Sequence, residues 1–161
     1  MKELYLFRHA KTHPAGHPRD DHARSLTPEG HAAASWIGEQ LANDRRQPQI
    51  ILASDAQRTL QTAELAMSRL GLDGQVMPAP ELYEADVEDI LALLAGRQEG
   101  SIMIVGHNPG IEEIAGNLTG SFGHMRPGFC LWLCFDIDDW EELYGHPAPV
   151  AHHLYRPPAE D

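Results

Sequence analysis

The stretch that decides the fold lies at the start of the chain, where residues 4–11 read LYLFRHAK. Its first four residues are apolar without polar alternation, which is typical of a strand covered on both faces of a largely parallel sheet. The strand leads directly into Arg8 and His9. A guanidinium fits phosphate oxygens and a neutral imidazole can attack phosphorus, so this pair indicates phosphate chemistry. A histidine at a strand end is more often structural, and the rest of the chain must decide.

Two further apolar runs, residues 50–53 and 102–105, predict strands of the same buried kind, and each run is followed by a helical pattern. The first helix is predicted to begin after Thr27, a residue type that caps helices, with Pro28 at its first position. Glycines predict the ends of the second and third helices. The four predicted helices span residues 28–42, residues 60–70 before Gly71, residues 87–94 before Gly96, and residues 111–118.

Residues 129–135 and 150–155 have the composition of two more strands, which we expect to extend the same sheet. Alternating strands and helices imply right-handed crossover connections. The predicted fold class is therefore α/β, a three-layer sandwich with a mostly parallel central sheet and helices on both faces. Ligands of such sheets bind at the carboxyl ends of strands, and the turn of Arg8 and His9 lies at such an end.

Length and charge bound the domain count and the partners. With 161 residues and 42% hydrophobic content, the chain is expected to form a single domain over residues 1–161, with residues 156–161 as a disordered tail. The formal net charge of -12 repels nucleic acid and anionic membranes, so neither is an expected partner. Any anion site must then be a local cluster of basic side chains.

The terminal sequence and the cysteines predict a cytoplasmic protein. The chain shows no apolar leader after Met1 and no apolar stretch near the roughly 20 residues that cross a bilayer. Its two cysteines, Cys130 and Cys134, are four positions apart in a predicted strand, so they lie roughly 13 Å apart and beyond disulfide reach. We therefore expect reduced thiols in the core.

Polar and basic residues follow the second and third apolar runs as they follow the first. Residues 54–58, SDAQR, bring Arg58 into the first turn of a helix that a polar residue is expected to cap. Residues 106–109, GHNP, place His107 after the third run. Because the carboxyl ends of parallel strands meet at one edge of a sheet, Arg58 and His107 are expected to face the crevice that holds the first histidine.

Helix starts complete the predicted anion site. In the segment after the third run, Asn108 is expected to cap a helix and Pro109 to occupy its first position. Residues 21–27 place Arg24 just before the first helix, whose N-terminus adds backbone N–H donors and the positive end of a dipole. Arg24 is therefore a further candidate for phosphate binding.

Taken together, these segments resemble the signature of the histidine phosphatase superfamily, which includes cofactor-dependent phosphoglycerate mutases and acid phosphatases. The similarity is closer to the small phosphohistidine phosphatase branch, the SixA type, and it spans about residues 3–120. It implies a fold like that of phosphoglycerate mutase. The motifs that carry it are LYLFRHAK at 4–11, DxxRxLTxxG at 21–30, LY at 82–83 and VGHNP at 105–109.

By this resemblance His9 is the nucleophile that becomes transiently phosphorylated, while Arg8, Arg58 and His107 bind the transferred phosphoryl group. Arg24 adds a further phosphate contact. A loose phosphoryl transition state needs in-line positioning and fixed donors more than a metal, so neither a metal ion nor another cofactor is predicted. Because His9 must be neutral at the attacking nitrogen, we expect its other nitrogen to donate to a backbone carbonyl.

Four carboxylates are candidates for the general acid that protonates the leaving group: Asp21, Glu81, Glu84 and Asp86. In larger relatives a glutamate two residues after a leucine protonates a leaving alkoxide, and Glu84 has that spacing from Leu82. Members of the SixA type do not reliably keep this glutamate. A phosphohistidine substrate has an imidazole leaving group that needs less help, so the acid is dispensable there.

The spacing of the motifs favours an open pocket. About fifty residues separate Arg58 from His107, which leaves room for a short strand and one helix but no large capping insertion. An open pocket suits a phosphate displayed on a phosphorylated protein, and we predict a protein phosphohistidine phosphatase acting on a phosphotransfer protein. A small-molecule phosphomonoesterase or phosphoglycerate-type mutase, acting on a small phosphorylated substrate, is the alternative within this chemistry. A non-catalytic phosphate-binding module is the alternative outside it.

Overall fold

The computed structural model describes residues 1–121 and 123–158. Of the predicted tail, residues 156–158 are described, and residues 159–161 lie outside the described part. The strands are β1 Lys2–Arg8, β2 Ile50–Ala53, β3 Val76–Pro78, β4 Ser101–Gly106, β5 Cys130–Phe135 and β6 Ala151–Tyr155. The α-helices are α1 Pro28–Asn43, α2 Gln57–Ser68, α3 Val87–Ala95 and α4 Gly110–Thr119, and short 3-10 helices cover Pro18–Ala23, Asp73–Gln75, Pro80–Leu82 and Trp140–Gly145.

The strands of the described residues form one sheet in the order β3-β2-β4-β1-β5-β6. The first four are parallel to one another, whereas β5 and β6 are antiparallel and extend one edge. In the register of β1 and β4, Arg8 lies opposite Gly106. The residues that follow these two strands, His9 and His107, therefore leave the sheet side by side.

Helices cover both faces of this sheet, and β1 shows why its sequence lacks polar alternation. Leu4 and Leu6 pack in a cluster with α3 and α4, whereas Tyr5 and Phe7 pack in a cluster with α1 and α2. All four side chains are fully buried. Burial of such a side chain stabilises the fold by about 1.5–3 kcal/mol. The predicted three-layer α/β sandwich with a mostly parallel sheet is confirmed.

The N-terminus of α1 is fixed against the chain just after His9. Thr27 caps the helix as predicted, since its Oγ1 accepts a hydrogen bond from the Gly30 N–H at 3.1 Å. The Thr27 N–H donates to the Lys11 carbonyl at 2.9 Å. A Cβ on Gly30 would lie 2.2 Å from that carbonyl oxygen. Only glycine therefore lets the chain after His9 lie this close to the helix.

Two predicted boundaries of α2 are wrong. No polar side chain caps the helix: its N-cap is Ala56, and the hydroxyl of Ser54 contacts the His107 ring instead, at 2.8 Å. The helix also ends at Ser68 rather than continuing to Gly71. The chain turns there, with a φ of 72° at Gly71 that favours glycine.

The start of α4 differs from the prediction that Pro109 is its first residue. Pro109 is its N-cap rather than its first residue, and Gly110 takes the first position. Asn108 is therefore not the N-cap that the sequence predicted, although its Oδ1 accepts from the Glu112 N–H at 3.2 Å. The Nδ2 of the same side chain donates to the Met125 carbonyl at 2.9 Å. Asn108 thus ties α4 to the segment that precedes β5.

Both cysteines lie in β5 as predicted, but only one of them is in the core. Cys130 and Cys134 are free thiols in β5, and the first of them is buried. Burial raises the pKa of Cys130, which keeps this thiol protonated and unreactive. No helix within the described residues is long and apolar enough to cross a membrane.

Candidate active site

The carboxyl ends of β1, β2 and β4 bring the predicted residues together. His9 follows β1 and His107 follows β4, and the centroids of their rings are 5.4 Å apart. Arg58 enters from the first turn of α2. Only 8% of His9 and 6% of Arg58 is exposed to solvent. Together with Arg8, these side chains form one largely buried group, which we call the histidine pocket.

His9 is held as a neutral base. Its Nδ1 lies 2.8 Å from the carbonyl oxygen of Ala10. A carbonyl only accepts, so Nδ1 carries the proton and Nε2 keeps a free electron pair. Burial lowers the pKa of His9 to about 4, and the charges of Arg58 and Arg8 act in the same direction. Ala10 is therefore the backbone partner whose identity the sequence could not give.

Arg8 is fixed from the side of β5. Its Nη1 donates to the Met125 carbonyl at 2.9 Å. The Met125 N–H in turn donates to a carboxylate oxygen of Glu112 at 2.8 Å, so the segment that holds Arg8 is itself held by α4. Burial lowers the pKa of Arg8, while the charge of Glu112 opposes that shift. The guanidinium stays charged and is aimed by backbone rather than by a direct ion pair.

Arg58 is fixed by Asp21. Its Nη1 donates to the Asp21 carbonyl oxygen at 2.6 Å, and its Nη2 donates to Oδ2 of the same residue at 3.2 Å. The hydroxyl of Tyr83 donates to that same Oδ2. This hydroxyl, followed by contacts from Arg24 and Arg58, lowers the pKa of Asp21 to about 2. Asp21 is therefore ionised at neutral pH and orients Arg58 instead of donating a proton.

His107 completes the histidine pocket. Its Nε2 lies 2.8 Å from Oγ of Ser54, which accepts from the Ala56 N–H at 3.3 Å. With the Ser54 hydroxyl assigned as the donor to Nε2, the His107 proton lies on Nδ1. Burial, with the charge of Arg58, lowers the pKa of His107 to about 3. The ring is neutral and presents an N–H from Nδ1.

Three donors in the histidine pocket are buried without a partner: Nε of Arg8, Nε of Arg58 and Nδ1 of His107. Among the described residues, one other buried side-chain atom, the hydroxyl of Tyr5, shares this condition. A buried polar group without a partner costs about 1–3 kcal/mol. Three of them at one place fit an anion that offers several acceptor oxygens, as a phosphoryl group does.

Arg24 lies next to the histidine pocket, and its side chain is held by hydrogen bonds to neighbouring residues. Its Nη2 donates to Oγ1 of Thr12 at 2.5 Å, its Nε to the His13 carbonyl at 3.0 Å, and its Nη1 to Asp21 at 3.2 Å. Its charge also lowers the pKa of His9. These bonds use three of the five guanidinium N–H donors.

The carboxylates that were candidates for the general acid have different surroundings. Asp86 caps α3 in a reciprocal pair with Asp89. Glu81 is exposed in a 3-10 helix. Glu84 is exposed and lines a cavity of about 250 Å³ together with Arg58 and His107. Asp21 and Asp86 line the same cavity, but of the three only Glu84 makes no side-chain hydrogen bond or ion pair to a described residue.

Tyr83 is a residue of this site that the sequence did not assign. Besides its hydrogen bond to Asp21, its ring packs edge-on against His107 with centroids 5.5 Å apart. The guanidinium carbon of Arg58 lies 5.8 Å from the centre of the same ring. The Leu82–Tyr83 pair is one of the motifs shared with the histidine phosphatase superfamily, but the sequence does not predict that Tyr83 contacts Asp21.

Comparison with known proteins gives consistent matches. Residues 4–93 match the histidine phosphatase superfamily (branch 1). A structure from Nakamurella multipartitia, named as a candidate phosphohistidine phosphatase SixA, is 27% identical with a TM-score of 0.81, over 98% of this chain and 97% of that one. Another of the same name from Agrobacterium tumefaciens is 30% identical with a TM-score of 0.76, over 82% of this chain and 90% of that one. An uncharacterized chloroplastic protein of Arabidopsis thaliana is 27% identical over 95% of this chain and 75% of its own length.

Proposed function

The chain belongs to the histidine phosphatase superfamily and is of its SixA type, and we propose that it is a phosphatase whose nucleophile is His9. Nε2 of His9 attacks phosphorus, and the bond from phosphorus to the leaving atom breaks. The leaving group keeps the electron pair of that bond and takes up a proton. Water then attacks the phosphohistidine, which releases inorganic phosphate and returns His9 to its neutral form.

The observation that carries this proposal is the tautomer of His9. The contact of Nδ1 with the Ala10 carbonyl at 2.8 Å leaves the electron pair on Nε2, and the low pKa of about 4 keeps that pair free of a proton at neutral pH. A nucleophile requires this free electron pair.

The unpartnered donors supply the charge stabilisation. Nε of Arg8, Nε of Arg58 and Nδ1–H of His107 are buried and already oriented, so they need little rearrangement when charge develops on the phosphoryl oxygens. In a site shielded from water such donors act more strongly than at the surface. Loss of one donor of this kind typically lowers the rate by about 10²–10³.

We infer that the substrate is a phosphohistidine displayed on a protein. Between the end of α2 and the start of β4 the chain holds only β3, two short 3-10 helices and α3, and α3 packs with α4 in the outer layer. This supports a phosphate site that a protein surface can reach. An imidazole leaving group also needs little protonation, which agrees with the ionised state of Asp21 beside the pocket.

A phosphomonoesterase acting on small molecules is the second candidate, and the position of Glu84 favours it. Glu84 shares the cavity of about 250 Å³ with Arg58 and His107, where it could protonate a leaving alkoxide. The variant Glu84→Gln separates the two candidates. We expect its rate on phosphohistidine to be unchanged and its rate on alkyl phosphates to fall about 10²-fold. An equal loss on both substrates would instead make Glu84 the general acid for both.

The nucleophile is tested by trapping the phosphoenzyme. Incubation with ³²P-labelled phosphoramidate should give an acid-labile, base-stable label on the wild-type protein and none on His9→Ala. His152→Ala is a matched control, because His152 is exposed on β6 and lies outside the histidine pocket. Labelling of His9→Ala would contradict the assignment. Failure of every donor to label the wild type would favour a phosphate-binding module.

The substrate class is tested by a turnover panel. A phosphorylated histidine-phosphotransfer domain, sugar phosphates, phosphoglycerates and nucleotides are compared by kcat/KM, with phosphate release and isomer formation both measured. We expect the phosphorylated domain to be the best substrate. A preference for one small phosphate would establish the second candidate, and transfer of the label to another hydroxyl would indicate a mutase.

A further inference from the structure

A second concave surface lies beside the turn of Arg8 and His9. It has a volume of about 650 Å³, larger than the 250 Å³ cavity next to His107. Basic side chains rim it, those of Lys11, Arg126 and Arg156, and Phe129 contributes an apolar wall. We call this surface the basic cleft.

The basic cleft is rich in positive charge, whereas the chain as a whole is acidic. The formal net charge is -12, with only twelve Lys and Arg, and three of these twelve line the cleft. Arg126 and Arg156 are exposed, and neither side chain makes an ion pair or hydrogen bond with a described residue. Among the described residues that line the cleft, Glu29 is the one carboxylate. The basic cleft is therefore a local positive site on an acidic protein, which attracts anionic groups.

The basic cleft is built onto the catalytic turn. Lys11 is two residues after His9. The Gly128 N–H donates to the carbonyl of Arg8 at 3.1 Å and to that of His9 at 3.0 Å. The segment that carries Arg126 is thus hydrogen-bonded to the chain on either side of the nucleophile. A molecule bound in the cleft is held next to the phosphate site.

Building on the function proposed above, we propose that the basic cleft binds an acidic segment of the phosphorylated partner protein and so docks its phosphohistidine over His9. Charge complementarity identifies the occupant as acidic. The volume of about 650 Å³ is larger than a single phosphate would fill, and a phosphate has no use for the apolar wall of Phe129. A peptide with acidic and apolar side chains would fill the volume and contact this wall. Guanidinium and aromatic groups are also the side chains that contribute most to protein interfaces.

The test measures a variant of the basic cleft and a control variant on two substrates. The double variant Arg126→Gln, Arg156→Gln removes two positive charges from the basic cleft and leaves every residue of the histidine pocket in place. A matched control, Arg45→Gln, Arg69→Gln, removes two exposed charges elsewhere. The substrates are a histidine-phosphotransfer domain phosphorylated with phosphoramidate, and free phosphohistidine, which has no protein segment to dock.

We expect the cleft variant to raise KM for the phosphorylated domain about fivefold with kcat unchanged, and to leave both constants for free phosphohistidine unchanged. The control should behave as wild type. An unchanged KM for the domain, or a control with the same effect, overturns the proposal. An equal rise in KM for both substrates also overturns it, because the cleft would then bind a small anion.

A binding measurement keeps the proposal separate from the proposed function. A fluorescein-labelled peptide of alternating Glu and Leu is titrated with the wild-type and variant proteins, and anisotropy gives Kd without any turnover. We expect about fivefold weaker binding to the cleft variant and weaker binding at higher salt. If no phosphohistidine is hydrolysed, the proposed function fails, and this titration still decides the cleft. Equal binding to the cleft variant and wild type would overturn it.

Discussion

Two regions of this molecule place arginine against tyrosine and aspartate, and they use the arginine differently. At the β5–β6 edge, the guanidinium of Arg46 stacks 3.8 Å from the centre of the Trp132 ring and donates to the hydroxyl of Tyr155. That hydroxyl donates to Asp44 at 2.6 Å. In the histidine pocket, Arg58 is likewise bonded to Asp21, beside a tyrosine, but its Nε is buried without a partner. The edge cluster is complete by itself, whereas the pocket lacks an acceptor.

The difference shows how a reactive arginine can be recognised. Aromatic stacking and carboxylates occur in both regions, so neither marks a site. The distinguishing feature is a charged donor that is oriented by the protein at one end and left unpaired in a buried place at the other. Such a donor destabilises the empty protein and stabilises a bound anion.

The largest difference between the two regions is expected when Arg58 and Arg46 are each replaced by alanine. We expect Arg58→Ala to lower kcat/KM for phosphohistidine about 10³-fold, because a fixed donor to the phosphoryl oxygens is lost. Arg46→Ala should leave kcat/KM unchanged and lower the free energy of unfolding by about 1–2 kcal/mol, since it removes ring stacking and buried contacts. Steady-state kinetics and urea unfolding measure the two quantities. A large activity loss in Arg46→Ala would break the distinction.

Removing single hydroxyls sharpens the same contrast. Tyr83→Phe should lower kcat/KM about tenfold, because Asp21 loses the hydrogen bond that contributes most to its low pKa and holds Arg58 less firmly. Tyr155→Phe should leave kcat/KM unchanged and cost about 1 kcal/mol of unfolding free energy. Changes in the ³¹P shift of bound inorganic phosphate would show whether Tyr83→Phe acts on phosphate binding. Equal kinetics in the two variants would mean that Tyr83 does not position Arg58.

The smallest effect is expected from pH. His9 and His107, with pKa values of about 4 and about 3, stay neutral down to that range, so kcat/KM for free phosphohistidine should change less than twofold between pH 7 and pH 5 once substrate ionisation is corrected for. An ordinary histidine, with a pKa near 6.5, would lose most of its nucleophilic form over the same interval. If the pH–rate profile instead fell with an apparent pKa near 6.5, burial would not lower the pKa of His9 as expected.

The same two histidines predict the direction of the stability change with pH. Their pKa values in the folded protein lie below the value of about 6.5 for an unfolded chain, so between about pH 4 and pH 6.5 the unfolded state binds more protons. The free energy of unfolding should therefore fall as pH falls through this window. The variant His9→Ala, measured by urea unfolding at pH 7 and pH 5, should show a smaller fall than the wild type.

The central residues of the site could be predicted because each lies at the end of a buried strand or in the first turn after one. Arg8, His9 and His107 are fixed in this way by the apolar runs, and Arg58 by the start of α2. The strands are parallel neighbours, so their exits must meet. A local pattern was enough here because sheet geometry supplies the long-range contact.

The supporting contacts could not be predicted, because they depend on loop paths rather than on periodicity. The hydroxyl of Tyr83 reaches Asp21 across 62 positions of sequence. The sequence predicts a polar cap within residues 54–58, yet the hydroxyl of Ser54 contacts His107, which lies 53 positions away. Short polar side chains have several partners of similar energy within reach, and tertiary structure selects among them.

Gly30 fixes the segment that follows His9, whereas the neighbouring residues 124–127 are free of such a constraint. With its missing side chain it lets α1 sit directly on the Lys11 carbonyl, so any larger residue there would displace the segment that follows the nucleophile. Residues 124–127, by contrast, are mostly exposed, and Met125 is the one of them that accepts hydrogen bonds from Arg8 and Asn108. A mutant library that seeks new specificity should hold positions 9–11 and 30 constant and randomise 124, 126 and 127. Such a library varies the surface beside the histidine pocket and keeps the pocket itself unchanged.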